Sequence, residues 1–197
     1  MKKLIAFISF LSFCFLSVQA QDNKANAAKL NKQAEAAYNR VLTNTNRDSL
    51  TVYRAVVDGI TYSLKCEEYD RMPNRKGKVK TEFGEQNMLR VTTLYPMLID
   101  AGQFLLKNSY TKVEGQKALE LYLTARNNPM VIDIPDESGI AAYYLAYDYL
   151  KSRNFRMAEK YADLAMQYEE TAQASVEVKA ECMGEQMKNA EDSLQYL

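Results

Sequence analysis

The chain predicts an all-α fold, an array of antiparallel helical hairpins with about seven or eight helices in all. Two observations point there. Residues 139–170 hold two amphipathic helical patterns joined by the polar turn Ser152, Arg153 and Asn154. Ala142, Leu145, Ala146 and Tyr149 share a face of the first, and Ala158, Tyr161, Ala162 and Ala165 share a face of the second. The alanine signature then recurs upstream, where Ala118 and Ala125 are seven apart, as Ala158 and Ala165 are, at a distance of 40 residues. Small residues where helices cross let the backbones approach, with aromatics filling the space beside them.

Residues 1–20 begin with Lys2 and Lys3, run through an apolar stretch and exit at Val18, Gln19 and Ala20. That order predicts a secretory signal peptide cleaved after about Ala20, and so a periplasmic or secreted protein. The apolar run is shorter than the roughly 20 residues a spanning helix needs, so no transmembrane span is expected. Phe13, just before Cys14, sets a bulky ring where a lipidation signal wants a small residue. Cleavage would remove Lys2, Lys3 and four of the seven phenylalanines, leaving 177 residues with 23 basic and 25 acidic side chains. Near-neutral charge argues against nucleic acid as a partner. The chain has no His, which lowers the prospect of zinc or triad chemistry. Cys66 and Cys182 lie 116 positions apart, so two partly buried thiols are expected rather than a bond between them.

The N-terminal hairpin spans 21–70. Its first helix, 22–42, carries Ala27, Leu30, Ala34, Ala37 and Val41 on one face. Its second starts at a cap on Asp48 or Ser49, with Tyr53, Val56, Val57, Ile60 and Leu64 in line. Residues 71–81 form a basic loop in which Arg71, Arg75, Lys76, Lys78 and Lys80 surround Gly77, and the helical period is lost. Such a run reads more readily as a solvated loop than as a site for an anion.

A further helix covers about 82–92, with Phe83, Met88, Leu89 and Thr92 as its inner side. Pro96 then opens a helix whose stripe is Leu98, Ala101, Gly102 and Leu105, with Gly102 in the place Ala146 takes later. Its partner is read over 116–129, so 111–115 and 130–138 are extra to the repeat. After Thr171 a last helix, in 171–197, shows Val176, Ala180, Met183, Met187, Ala190, Leu194 and Leu197 as an apolar seam. The seam predicts packing on the preceding hairpin or self-association through this helix.

The residues Leu145, Ala146, Tyr149, Phe155, Ala158 and Ala165 resemble the tetratricopeptide repeat (TPR), and the resemblance covers 95–170 within the two embellished hairpins and preceding helix of 82–170. It implies a TPR-like α-solenoid and a non-catalytic scaffold that holds a protein or peptide partner on its concave face. In that family the first helix of each hairpin lines the groove, which here implies Ile99, Gln103 and Lys107, with Leu106 beside them, and then Tyr143, Tyr147 and Lys151, with Leu150. The family's best-known groove grips a C-terminal carboxylate, a pattern from which Ile99, Gln103, Tyr143 and Tyr147 depart. The tyrosine-rich repeats and the basic loop also resemble exported TPR proteins of Bacteroidetes-type bacteria. The alternative reading is a glycan-binding accessory component of an outer-membrane nutrient-uptake system, with sugar rings stacked on tyrosine.

Catalytic motifs are weak. Ser109 and Lys112 have S-x-x-K spacing without its companion motifs, and the match falls at a repeat turn. Glu177, Glu181 and Glu185 line one face beside Lys179 and Lys188, as a solvated face does. Asp100 and Asp148 are the acids nearest to an apolar setting. There is no phosphate loop, no dinucleotide fingerprint and no metal spacing, so neither an enzyme nor a cofactor is expected.

Overall fold

The computed structural model describes residues 2–43, 48–74 and 77–195, with side chains over 23–43, 48–74 and 77–188. Among them every regular element is a helix: α1 (Lys2–Thr43), α2 (Ser49–Asp70), α3 (Gly84–Leu94), α4 (Met97–Leu106), α5 (Lys112–Ala125), α6 (Ser138–Lys151), α7 (Phe155–Ala165) and α8 (Glu169–Gln195). They divide into two units, Met1–Tyr95 and Pro96–Leu197. The side chains of residues 1–22, those of Ala190, Leu194 and Leu197, and loop residues Arg75 and Lys76 lie outside the described residues.

In the first unit α1 and α2 pack along each other, and α3 touches both. Ala27, Ala34 and Ala37 of α1 meet Ala55, Val56 and Ile60 of α2 in a buried seam, while Leu30, Val41, Tyr53, Val57 and Leu64 are half-buried beside it. Asp48 caps α2 by accepting from the Leu50 amide at 3.2 Å, one donor that the helix start would leave unpaired. At the other end Asp70 has its side chain fully buried and accepts from Lys24 Nζ at 2.8 Å and from the amides of Glu82 and Phe83 at 2.7 and 2.9 Å. Burial alone would raise its pKa. The Lys24 ammonium and the two amides outweigh that and hold the carboxyl below its ordinary value. One side chain therefore ties the far end of the basic loop back onto α2. Within the loop, Gly77 takes a left-handed φ of 72° that a side chain would resist. Arg71 is drawn to Glu67 at 2.6 Å, and Lys78 and Lys80 are exposed.

The inner face of α3 differs from the sequence reading. Met88 and Leu89 are exposed, at 43% and 58%, and the buried residues are Asn87, Arg90, Val91 and Leu94. Asn87 donates to Glu67 Oε2 at 3.1 Å, and Arg90 donates to Asn31 Oδ1 at 2.6 Å. Polar groups go inside when partners wait there, whatever their hydropathy.

In the second unit α4 packs on α5, α6 on α7, and α8 on both α6 and α7. Leu98, Ala101, Gly102 and Leu105 are all buried, as the stripe predicted. Ala118, Ala125, Ala158 and Ala165, the two recurring pairs, are buried as well. At the α4/α5 crossing a Cβ on Gly115 would lie 2.7 Å from the Leu106 nitrogen and 2.9 Å from the Gly102 oxygen, so the backbones meet where only hydrogen fits. Helix α5 begins at Lys112, four residues earlier than read, so most of 111–115 is helix rather than an inserted loop. The remaining extra length is 130–137, a run of turns and coil from which Val131 reaches the core.

The same closing device appears twice in this unit. Thr111 and Thr171 are both buried, and each donates its hydroxyl at 2.6 Å to the carbonyl six residues earlier, on Leu105 and Ala165. Each satisfies a carbonyl that a helix end leaves open. Between α6 and α7 the turn instead uses Arg153 at φ 57°, followed by Asn154, whose side chain accepts from the Met157 amide at 3.3 Å.

The last helix is turned the other way from its predicted seam. Val176, Met183 and Met187 are exposed at 50%, 52% and 69%, and Ala180 is exposed too. The buried line is Thr171, Ser175, Val178 and Cys182. Ser175 can go inside because its hydroxyl is satisfied by the Thr171 carbonyl at 2.7 Å. Cys66 and Cys182 are free thiols, fully rather than partly buried.

Candidate functional site

Helices α4, α6 and α8 touch in succession, α4 on α6 and α6 on α8. The face implied by the repeat resemblance runs along α4 and α6. The structure buries two of its members. Ile99 and Leu150 are each only 4% exposed, so both belong to the core and neither is within reach of a partner. Ile99 is one position past Leu98 and two before Ala101, and the buried arc of α4 is wide enough to take in all three. Gln103 is half-buried and Lys107, the residue just after α4, is exposed.

On α6 the i, i+4, i+8 line forms one continuous ridge. The rings of Tyr143 and Tyr147 stack with centroids 6.4 Å apart, and Lys151 Nζ lies 5.0 Å from the centroid of the Tyr147 ring. Tyr144 meets Tyr143 edge-on at 5.7 Å. Tyr147 is 43% exposed at the centre of the ridge. Each side chain thus restrains the next before any ligand arrives, which reduces the side-chain entropy lost on contact. Lys151 also reaches Glu181 of α8 at 3.8 Å. Both partners are about half exposed, so this pair contributes little to stability and its charges stay available. Sequence reasoning missed Glu181 as a member of the face. It had placed the residue on a solvated stripe, and only the turn of α8 brings it to Lys151.

Behind the ridge, three elements are tied by one carboxylate. Glu120 of α5 accepts from the phenols of Tyr149 of α6 and Tyr161 of α7, at 3.3 and 3.0 Å. The two rings are nearly parallel, with centroids 5.7 Å apart. Burial, and then the Glu120 charge, push the Tyr149 phenol up to about 12 and raise that of Tyr161 as well. Asp148 is almost wholly buried and bonded, to Lys112 at 3.0 Å and to Gln116 at 2.8 Å. Lys112 also donates to Ser152 Oγ at 2.5 Å. Its ammonium is therefore committed to α6 and does not address Ser109, which is exposed. Asp100 is exposed. Glu185 is held by Arg153 and Lys188, at 3.0 and 2.9 Å.

Among the described residues no group of three or more Cys, Asp and Glu could hold a metal ion, and no helix is long and apolar enough to cross a membrane. The face offers two stacked phenols, two lysines and one amide on adjoining helices. Comparison with protein-family models, with curated proteins and with solved structures gives no match for this chain.

Proposed function

We propose that the chain is a non-catalytic scaffold, a TPR-like α-solenoid that binds a protein or peptide partner on the face formed by Gln103, Lys107, Tyr143, Tyr147 and Lys151. The observation that carries this reading is the pre-stacked ridge on α6, with Tyr147 exposed at its centre and lysines at its end and on the neighbouring helix. Successive contact of α4 with α6 and of α6 with α8 supports a solenoid arrangement. Aromatic and cationic side chains on such a face suit an extended segment with acidic or carbonyl-rich backbone contacts. The sequence of residues 1–20 supports export, and with it a periplasmic or secreted location. The glycan reading is less favoured, because Tyr143 stacks on the Tyr147 ring and Lys151 lies over it, so the ring is already engaged by its own neighbours.

The test is affinity capture from the native envelope with the wild-type chain and with a Tyr143→Ala/Tyr147→Ala variant of unchanged helical content. Loss of two anchoring aromatics costs a specific partner about 2 kcal/mol or more, roughly thirtyfold in affinity. Retrieval of the same proteins in the same amounts by both forms rules out this face.

A further inference from the structure

The first unit carries a second candidate site, on residues that the peptide-binding reading does not use. Where α1 and α3 meet there is an open concavity of about 350 Å³, lined among others by Asn31, Glu35, Tyr38, Gln86, Leu89 and Arg90. That is within the size of small-molecule sites and too small for a folded partner. Its floor is Arg90, a guanidinium only 5% exposed. A buried cation is costly unless an anion answers it. Here the partners are two neutral amide oxygens, Asn31 Oδ1 at 2.6 Å and Gln86 Oε1 at 3.5 Å, the second at the limit of a hydrogen bond. Two of five donors are thus engaged, one of them weakly. Among the described residues no carboxylate is within ion-pair distance of Arg90. Burial pulls its pKa down, and the charge of Glu35 pushes the other way without making a bond. Glu35 in turn is exposed at the rim and enters no ion pair among the described residues.

The concavity therefore presents a buried, anion-seeking fork and a free carboxylate in one small space. It also offers a phenol, amides and an exposed leucine. We propose that it binds a small amino-acid-type zwitterion, with the carboxylate on the Arg90 guanidinium and the ammonium toward Glu35. A guanidinium takes a carboxylate bidentately, and three of the five Arg90 donors are unused. The opposite charges of the pocket cancel in sum, which favours a ligand that carries one of each over a dianion. Tyr38 and Leu89 leave an apolar wall for a side chain. The signal was faint in the sequence, because Arg90 sits between residues that hydropathy assigns to the inside.

The test titrates the purified protein with glycine, L-leucine, L-glutamine, succinate and L-leucinamide, following backbone amide resonances and binding heat. The free amino acids are expected to shift resonances of α1 and α3, while L-leucinamide, which lacks the carboxylate, and succinate, which lacks the ammonium, bind at least about tenfold more weakly. Arg90→Met should abolish the shifts with the fold retained, since replacing a buried charge by an apolar side chain of similar length is commonly tolerated. If that variant does not fold, Glu35→Gln at the exposed rim takes its place, and it should weaken the amino acids several-fold while leaving succinate unchanged or improved. The proposal is overturned if no amino acid shifts these resonances up to about 10 mM, if L-leucinamide matches L-leucine, or if Glu35→Gln leaves every affinity as it was.

Discussion

Two glycines of the second unit, replaced by the same residue, should move stability in opposite directions. Gly115 lies in the first turns of α5, where a new Cβ would meet the backbone of α4 at 2.7 Å from the Leu106 nitrogen and 2.9 Å from the Gly102 oxygen. Backbone atoms at a helix crossing cannot swing aside as a side-chain tip can. To restore an ordinary contact the helices must part by about half an ångström along much of their buried interface. Overpacking of this kind costs about 1–3 kcal/mol. The helix-forming advantage of Ala over Gly returns up to about 1 kcal/mol, and less near a helix start. Gly115→Ala should therefore destabilise by about 1–2 kcal/mol. Gly184 sits within α8 with nothing within 4 Å of where its Cβ would go. There the propensity gain stands alone, so Gly184→Ala should stabilise by about 0.5–1 kcal/mol. Both residues belong to the unit Pro96–Leu197, so the same unfolding transition reports on both. At about 4 °C per kcal/mol for a body of about 100 residues, the two variants should melt roughly 6–12 °C apart, with the wild type between them. Calorimetry or thermal circular dichroism would measure it. If both substitutions raise Tm by similar amounts, the close α4/α5 approach is wrong and Gly115 is only a weak helix former.

The repeated threonine device predicts that Thr111→Val and Thr171→Val, nearly isosteric, each lose about 1–3 kcal/mol in urea unfolding, because each strands a buried carbonyl. The raised phenols predict alkaline sensitivity. A phenol that ionises less readily when folded than when unfolded contributes stability that is whole below its ordinary pKa near 10 and is lost as pH rises toward about 12. Absorbance of tyrosinate should show a late-titrating pair, and Glu120→Gln should bring its midpoint down. Asp70 predicts the acid counterpart. Its folded pKa lies below the ordinary 3.8, so its contribution is present above that value and fades as pH falls through the lower one. Asp70→Asn should flatten the acid limb of the stability curve and cost about 2–4 kcal/mol at pH 7, since it removes a charge from Lys24 and weakens two amide bonds.

What was legible in the sequence was the part governed by small apolar residues. The alanine pairs 118/125 and 158/165, the stripe on α4, the Pro96 start and the Asp48 cap stand where their residue types put them. What was illegible on α3 and α8 was the burial of polar groups whose hydrogen bonds a hydropathy pattern does not count. On α3 hydropathy favours Met88 and Leu89, yet Asn87 and Arg90 go inside because Glu67 of α2 and Asn31 of α1 receive them. On α8 it favours the Val176, Ala180, Met183 and Met187 line, yet Thr171 and Ser175 go inside because each hydroxyl finds a carbonyl in its own or the adjacent helix. On both helices the buried polar side chains make hydrogen bonds that a hydropathy count along one helix does not contain.

The same reasoning bears on the candidate sites. Of the six residues first placed on the face, Ile99 was misplaced because a helix gripped on one side buries a wider arc than a single stripe. Tyr143, Tyr147 and Lys151 form a continuous line because their spacing alone puts the side chains in register along α6, without help from another element. Arg90 shows the converse. A basic residue flanked by apolar ones reads as a solvent-facing tip, and only the fold reveals that it is enclosed and answered by two amides instead of an acid. A buried charge left without its counter-ion raises the free energy of the unliganded state. Any anion that enters regains part of that energy, and this makes the concavity between α1 and α3 a stronger chemical argument for a ligand than the exposed face of α6, where nothing is left unsatisfied.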